Sequence, residues 1–266
     1  MAITTINDIV AGLASKQTLR FQKNLTAAKS AGAFQSGWLA TGIPGAGVAS
    51  PAYTAGSGYT CDKSMAGAIA YVNAAVQNWL AKLIAAGSLT GTLILADRLW
   101  SCSGMGYAIA TYTVTTPGNL PARITDSGVA CELWVEQFVV AGAASGTLTA
   151  NYLNTASAAK SGVIAAVVSA PVAGQMQPVP LQTGDLGISQ LTSVANSATW
   201  TSGSWGMTIL KRLAEIELPI IGVARTLDWA ALGLPQIPSD VCLMVFLMAN
   251  SSTATVIYGR GEVIDK

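Results

Sequence analysis

The chain contains no histidine, and only 10% of its 266 residues are charged, 14 basic against 13 acidic. Globular chains carry about a quarter charged residues. Histidine is the one side chain whose ordinary pKa lies near neutrality. Its absence excludes a Ser-His-Asp triad, a Cys-His pair and imidazole-ligated zinc. Acid–base work would fall to carboxylates and lysines. The net charge of +1 leaves no basic face to displace counterions, which argues against nucleic acid as a partner. What the chain has instead is 51% hydrophobic residues, 27 glycines and a mean hydropathy of +0.47. That composition excludes an intrinsically disordered chain.

Low charge raises the question of a membrane. The uncharged intervals Gln137 to Ala159 and Ser161 to Gly184 are interrupted by Gly, Ser, Thr, Asn, Gln and Pro. They fail the requirement for about 20 consecutive apolar residues. The run Val241 to Ala249 is too short to span a bilayer and suits a buried strand. The first residues, Met1-Ala-Ile-Thr-Thr-Ile-Asn-Asp-Ile, have neither the basic nor the apolar region of a signal peptide. Cys61, Cys102, Cys131 and Cys242 are widely spaced, with no C-x-x-C, and are expected to be buried thiols rather than disulfides or metal ligands. The sequons at Asn24 and Asn250 have no meaning without a secretory route.

Ile6, Ile9, Val10 and Leu13 recur with helical period, and Thr5 with Asp8 has the form of a capping box. After the basic stretch Lys16, Arg20, Lys23 and Lys29 comes Ser30 to Asp62, dense in Gly, Ala, Ser, Thr and Pro. It is long for an internal loop. It reads as an extended arm or a surface-hugging segment, pinned by Phe34, Trp38, Tyr53 and Tyr59. In Met65 to Ala86 the positions Val76, Trp79, Leu80, Leu83 and Ile84 match a helix slightly better than a strand. From Leu89 onward short β-type segments follow one another. They are Thr90 to Ala96, Ala108 to Val114, Ala130 to Val140, Gly146 to Tyr152, Gly162 to Val168, Gln175 to Leu181, Gln190 to Ser197, Gly206 to Leu213, Val241 to Met248 and Thr253 to Ile264. Within one of them Glu132, Trp134 and Glu136 alternate with Leu133 and Val135. This spacing predicts an all-β fold, a single-core β-sandwich or jelly roll. The expected organisation is an N-terminal helix and arm over residues 1–87, then a sandwich over 88–266.

No catalytic motif emerges. Gly42-Ile-Pro-Gly-Ala-Gly47 lacks the G-K-[ST] ending of a phosphate loop, and no G-x-S-x-G occurs. Glu215 and Glu217 would share one face of a strand, as almost any E-x-E does, and a solvated face beside Lys211 and Arg212 is the better reading. No cofactor or metal site is expected. Trp200 and Trp205 flank the turn Thr201 to Ser204 and suit an interface or a sugar platform. Phe34, Trp38, Tyr53, Tyr59, Trp200 and Trp205 are therefore the candidate interface residues. A surface this apolar and this sparsely charged makes sense when neighbours cover it.

Several segments resemble, in order along the chain, proteins encoded among the virion structural genes of tailed bacteriophages. They are Trp38 to Gly47, Gly91 to Trp100, Pro180 to Gly187, Leu210 to Pro219, Asp228 to Pro238 and Asp240 to Leu243. The resemblance implies a non-enzymatic virion component on or beside the capsid, in the manner of a decoration or cement protein. Its partners would be the major capsid protein or other virion proteins together with copies of itself, with neither nucleic acid nor membrane. It also implies loop and strand after Asn73, against the local helical period. A tail or fibre component holding a host glycan on its aromatics is the alternative. The resemblance assigns no functional residue.

Overall fold

The computed structural model describes residues 3, 5–28, 30–49, 58–71, 77–106, 110–114, 120–142, 146–165, 167, 171–197, 199 and 202–265. In chain order the elements are α1 (Ile6–Ala14), β1 (Gln17–Leu25), β2 (Phe34–Ser36), β3 (Thr41–Ile43), β4 (Tyr59–Thr60), β5 (Asn78–Gly87), β6 (Gly91–Met105), β7 (Ala110–Thr113), β8 (Cys131–Val139) and β9 (Leu148–Asn154). There follow β10 (Ala159–Ile164), β11 (Gln175–Pro178), β12 (Ile188–Asn196), β13 (Ser204–Leu218), β14 (Arg225–Asp228), α2 (Trp229–Leu232), β15 (Gln236–Ile237), β16 (Leu243–Ala249) and β17 (Thr255–Asp265). Every segment read as a strand after Leu89 overlaps one. The fold is all-β and sandwich-like, with a short N-terminal helix.

α1 begins where its capping box predicts. The Thr5 hydroxyl accepts from the Asp8 amide at 3.2 Å, and the Asp8 carboxylate accepts from the Thr5 amide at 3.0 Å. Only half of its apolar stripe is covered. Ile9 and Gly12 are buried in a small cluster with Ala81 and Ile264, whereas Ile6 and Val10 stay 65% and 61% exposed. Gly12, a weak helix former, is the point of contact: a Cβ there would lie 3.0 Å from the Ile264 Cβ.

The pairings build three sheets. One runs β14-β5-β17-β1-β3, with β15 also on β5; a second runs β10-β9-β12-β7; the third runs β13-β8-β11-β2-β16-β6-β4. Because β13 also pairs with β6, the strands β6, β13, β8, β11, β2 and β16 close into a ring, a small barrel without free edges. Its interior holds Ile94 and Ala96 of β6, Leu210 of β13, Trp134 of β8, Met176 of β11, and Met244 and Phe246 of β16, with Phe34 of β2 packed against them. The other sheets pack on the barrel's outside. Leu93, Leu95, Val245, Leu247 and Ile216 face Leu19, Phe21, Leu80 and Leu83 of the sheet containing β1 and β5. Leu133, Val135, Met207 and Ile209 face Ala150, Tyr152, Leu191 and Val194 of the sheet containing β9 and β12. The long strands β6 and β13 serve both cores, and register shifts between Ile209 and Leu210 and between Arg212 and Ala214 re-aim their side chains on the way. The expected single core is thus two cores around a barrel.

The expected division at residue 87 is not a structural boundary. β1 lies between β17 and β3, and β5 lies between β17 and β14, so residues before 87 form the middle of a sheet with the chain's last strand. The arm-like stretch is likewise bound to its own chain. The amides of Gly37, Cys61 and Ile69 donate to the carbonyls of Val245, Leu99 and Leu243. The helix expected around Trp79 to Ile84 is the strand β5. A register shift between Glu262 and Val263 leaves Ala81 as an extra residue, so Leu80 and Leu83 reach the same core three positions apart. A bulge has imitated a helical period. β1 escaped notice for a related reason. Its inward row Leu19, Phe21 and Leu25 contains the fully buried Lys23. The Lys23 ammonium donates to the carbonyls of Ala40 (3.2 Å), Pro44 (2.9 Å) and Gly45 (3.1 Å).

Candidate functional site

Two sets of polar groups could serve a function, and their charge balance separates them. The first is internal. Arg98 projects into the barrel, fully buried, and meets Glu136, also fully buried, at 2.7 Å. Its guanidinium also donates to the Ser101 hydroxyl at 2.7 Å and lies 4.7 Å from the ring centre of Trp38. The Thr208 hydroxyl donates to Glu136 at 2.9 Å. Burial opposes the charge on Arg98, and Glu136 more than offsets this, so its pKa lies above the usual arginine value. Beyond the backbone of Arg98, Arg123 grips Asp97 with two bonds of 2.8 and 2.9 Å and reaches Asp240 at 3.3 Å. Burial raises the Asp97 pKa, and the Arg123 fork works against that rise. A cavity of about 330 Å³ opens beside Asp97, Arg123, Asp126, Lys211 and Arg212. Its charges are already matched: Lys211 to Asp126 at 2.7 Å, and Arg212 to Glu132 at 2.8 Å. A site whose charges are satisfied internally serves the fold.

The second set is on the surface. The outward row of β1 carries Arg20 and Gln22; that of β17 carries Tyr258 and Arg260. The register sets Arg20 directly opposite Arg260, and Gln22 opposite Tyr258. On the other side of β17, Ile84 faces Arg260 and Ala86 faces Tyr258. Together with Ile43 of β3 these side chains line a cleft of about 430 Å³. Like charges directly opposite across a strand pair are unfavourable. Among the described residues neither arginine forms an ion pair; the nearest acid along the rows, Glu262, is bound by Lys16 at 3.1 Å. Apolar exposure gathers here too: Ile43 is 61% exposed and Tyr258 43%.

The aromatics singled out from the sequence have other roles. Trp38 and Trp205 are buried in this chain's own interior, so neither has surface to give a partner or a sugar. Trp38 donates its indole N–H to the Val48 carbonyl at 2.9 Å; Trp205 donates to Gly106 at 3.0 Å and packs edge-on against Tyr112. Phe34 is half-buried and meets Trp134 edge-on at 4.9 Å, where it helps to fill the barrel. Tyr59 is half-buried on β4, and burial raises its pKa. Tyr53 and Trp200 lie outside the described residues. Glu215 is exposed and bound by Arg212 at 3.1 Å; Glu217 is exposed; neither lines the two cavities described.

All four cysteines are free thiols and buried. Burial pushes Cys102 and Cys131 up to about 12. Contact with the Cys242 thiol, and then Arg98 and Arg123, hold Cys61 below the ordinary value, against its burial. Among the described residues no three His, Cys, Asp or Glu side chains converge as metal ligands. No helix among them is long and apolar enough to cross a membrane.

No family model and no curated protein sequence matches the chain. Among solved structures, it is similar to a chain of the cyanophage Pam1 capsid asymmetric unit, at 19% identity over 49% of this chain and 87% of that one, with a TM-score of 0.24. It is also similar to the VP2 protein of infectious bursal disease virus, at 10% identity over 99% and 84%, with a TM-score of 0.23. A third is AlgX of Pseudomonas aeruginosa, at 8% identity over 49% and 26%, with a TM-score of 0.25. Scores this low, shared by viral and bacterial proteins alike, assign neither fold family nor function.

The cleft was missed in the sequence because its members are far apart, on β1, read only as a basic stretch, and on β3, β5 and β17. The available signal was the alternation Leu19, Phe21, Leu25 against Thr18, Arg20, Gln22, Asn24.

Proposed function

We propose that this chain is a non-enzymatic structural protein of a tailed-bacteriophage virion, a decoration or cement component that rests on the capsid and on copies of itself. The observation that carries the proposal is the distribution of charge and apolar surface. The buried pairs Arg98–Glu136 and Arg123–Asp97 neutralise their charges within the chain, while large apolar side chains stand in the open: Ile6, Ile43, Leu186, Ile220 and Ile221 are each 59–69% exposed. Exposed apolar side chains that lie together, as Ile220 and Ile221 do in one turn, mark surfaces that other molecules cover. The ordered segments resembling phage virion proteins supply the context, and the major capsid protein is the expected partner. The glycan-binding alternative loses one of its two named tryptophans with the burial of Trp205. The test is imaging of phage particles with and without the protein. Added density at fixed capsid positions, with a higher temperature of genome release, is the expected result. Unchanged particles would remove the proposal.

A further inference from the structure

The cleft on the outer sheet face has two properties that any occupant must answer. It presents two guanidinium groups, Arg20 and Arg260, without an acidic partner among the described residues. It also presents an apolar floor and rim, Ile43, Ile84 and Tyr258. A small anion would answer the charge and leave the apolar area wet. A protein segment carrying an acid beside branched aliphatic side chains answers both.

This chain carries such a segment. Glu217, near the end of β13, is exposed and has no ion pair among the described residues. The turn that follows it shows Ile220 and Ile221 each 59% exposed and Val223 50% exposed. The turn is held in place, with the Gly222 amide donating to the Gly87 carbonyl at 2.9 Å. It leads directly into Ala224, which forms part of the cleft wall. Donor turn and receiving cleft are therefore neighbours on one surface. That arrangement suits a two-fold contact in which each copy gives its turn to the other's cleft.

We propose that this face is a homotypic interface, with Glu217 and the Ile220–Ile221 turn of a second copy seated against Arg20, Arg260 and Tyr258. The assignment rests on the self-association part of the function proposed above and not on the virion context. A chain that dimerises through this face but never binds particles would remove the virion reading and leave this one standing. Particle binding by a monomeric chain would do the reverse.

The experiment is sedimentation velocity of the full chain up to about 100 μM, with Arg260→Glu, Glu217→Arg and the two combined. Both substitutions are at exposed positions, and unchanged circular dichroism establishes folding. Each single reversal should weaken the dimer about 10- to 100-fold, and the combined variant should regain most of it, because the swapped charges attract again. Ile221→Asp should weaken it comparably. A chain monomeric throughout, or a dimer indifferent to both reversals, overturns the proposal. So does loss with Arg260→Glu alone while Glu217→Arg has no effect, since the cleft would then hold a different acid.

Discussion

Replacing Glu136 by Gln deletes one charge of a pair with no exposed surface and leaves Arg98 charged inside the barrel. At 2.7 Å the attraction between the two ions is roughly 6 kcal/mol for an effective dielectric constant of about 20. Against it stands a desolvation penalty of several kcal/mol for each ion, so the intact pair lies near break-even. Two of its polar atoms, Arg98 Nε and Glu136 Oε1, have no hydrogen-bond partner among the described residues, which keeps the balance from being strongly favourable. The broken pair is different. With its partner gone, the buried Arg98 charge is uncompensated, and Glu136→Gln should cost about 3–5 kcal/mol. Arg98→Met with Glu136→Leu removes both charges and keeps apolar contact with Trp38 and Met244. It should cost less than Glu136→Gln alone. Urea unfolding followed by tryptophan fluorescence measures Glu136→Gln and the double-mutant cycle of Arg98→Met, Glu136→Leu and the two combined. A Glu136→Gln cost below about 1 kcal/mol, or a double variant as costly as the sum of its singles, would refute the reasoning.

Trp205→Ala should destabilise by about 3–5 kcal/mol through the cavity it leaves against Tyr112, without altering self-association; thermal unfolding and sedimentation check the two halves. Burial lowers the Lys23 pKa from 10.5 to about 8, so between these values the unfolded chain holds a proton that the folded chain lacks. Stability should therefore rise with pH through that window, by at most about 3 kcal/mol because the three carbonyl acceptors favour the ammonium; unfolding curves of Lys23→Met should lack the rise. Deleting residues 1–62 should abolish folding, since it removes β1 and β2 from the middle of two sheets, whereas deleting 1–14 should leave a folded chain without its N-terminal helix. Far-ultraviolet circular dichroism and cooperative melting distinguish the two truncations.

What could be read from the residues was local. Thr5 and Asp8 announced α1 because a capping box is made within one turn. The alternation in β8 was visible, yet the face carrying Trp134 and Glu136 is interior, because ring closure wraps it around Arg98. The period misled at β5, where a bulge at Ala81 put Leu80 and Leu83 on one side. The aromatics Trp38 and Trp205 were visible as large anchors, but a side chain's type does not say whether its own chain or another covers it.

By itself the sequence determined the all-β class and the run of strands after Leu89. It also determined the absence of imidazole chemistry. Each of these follows from composition and from patterns closed within a few residues. Only tertiary structure decided that the strands close into a barrel between two further sheets, that residues 1–87 belong to the middle of the fold, and that Arg20 stands against Arg260 on an open face. These depend on pairing between strands as distant as β1 and β17. Such pairing is set by shared burial and register across the whole chain, and no local window carries it.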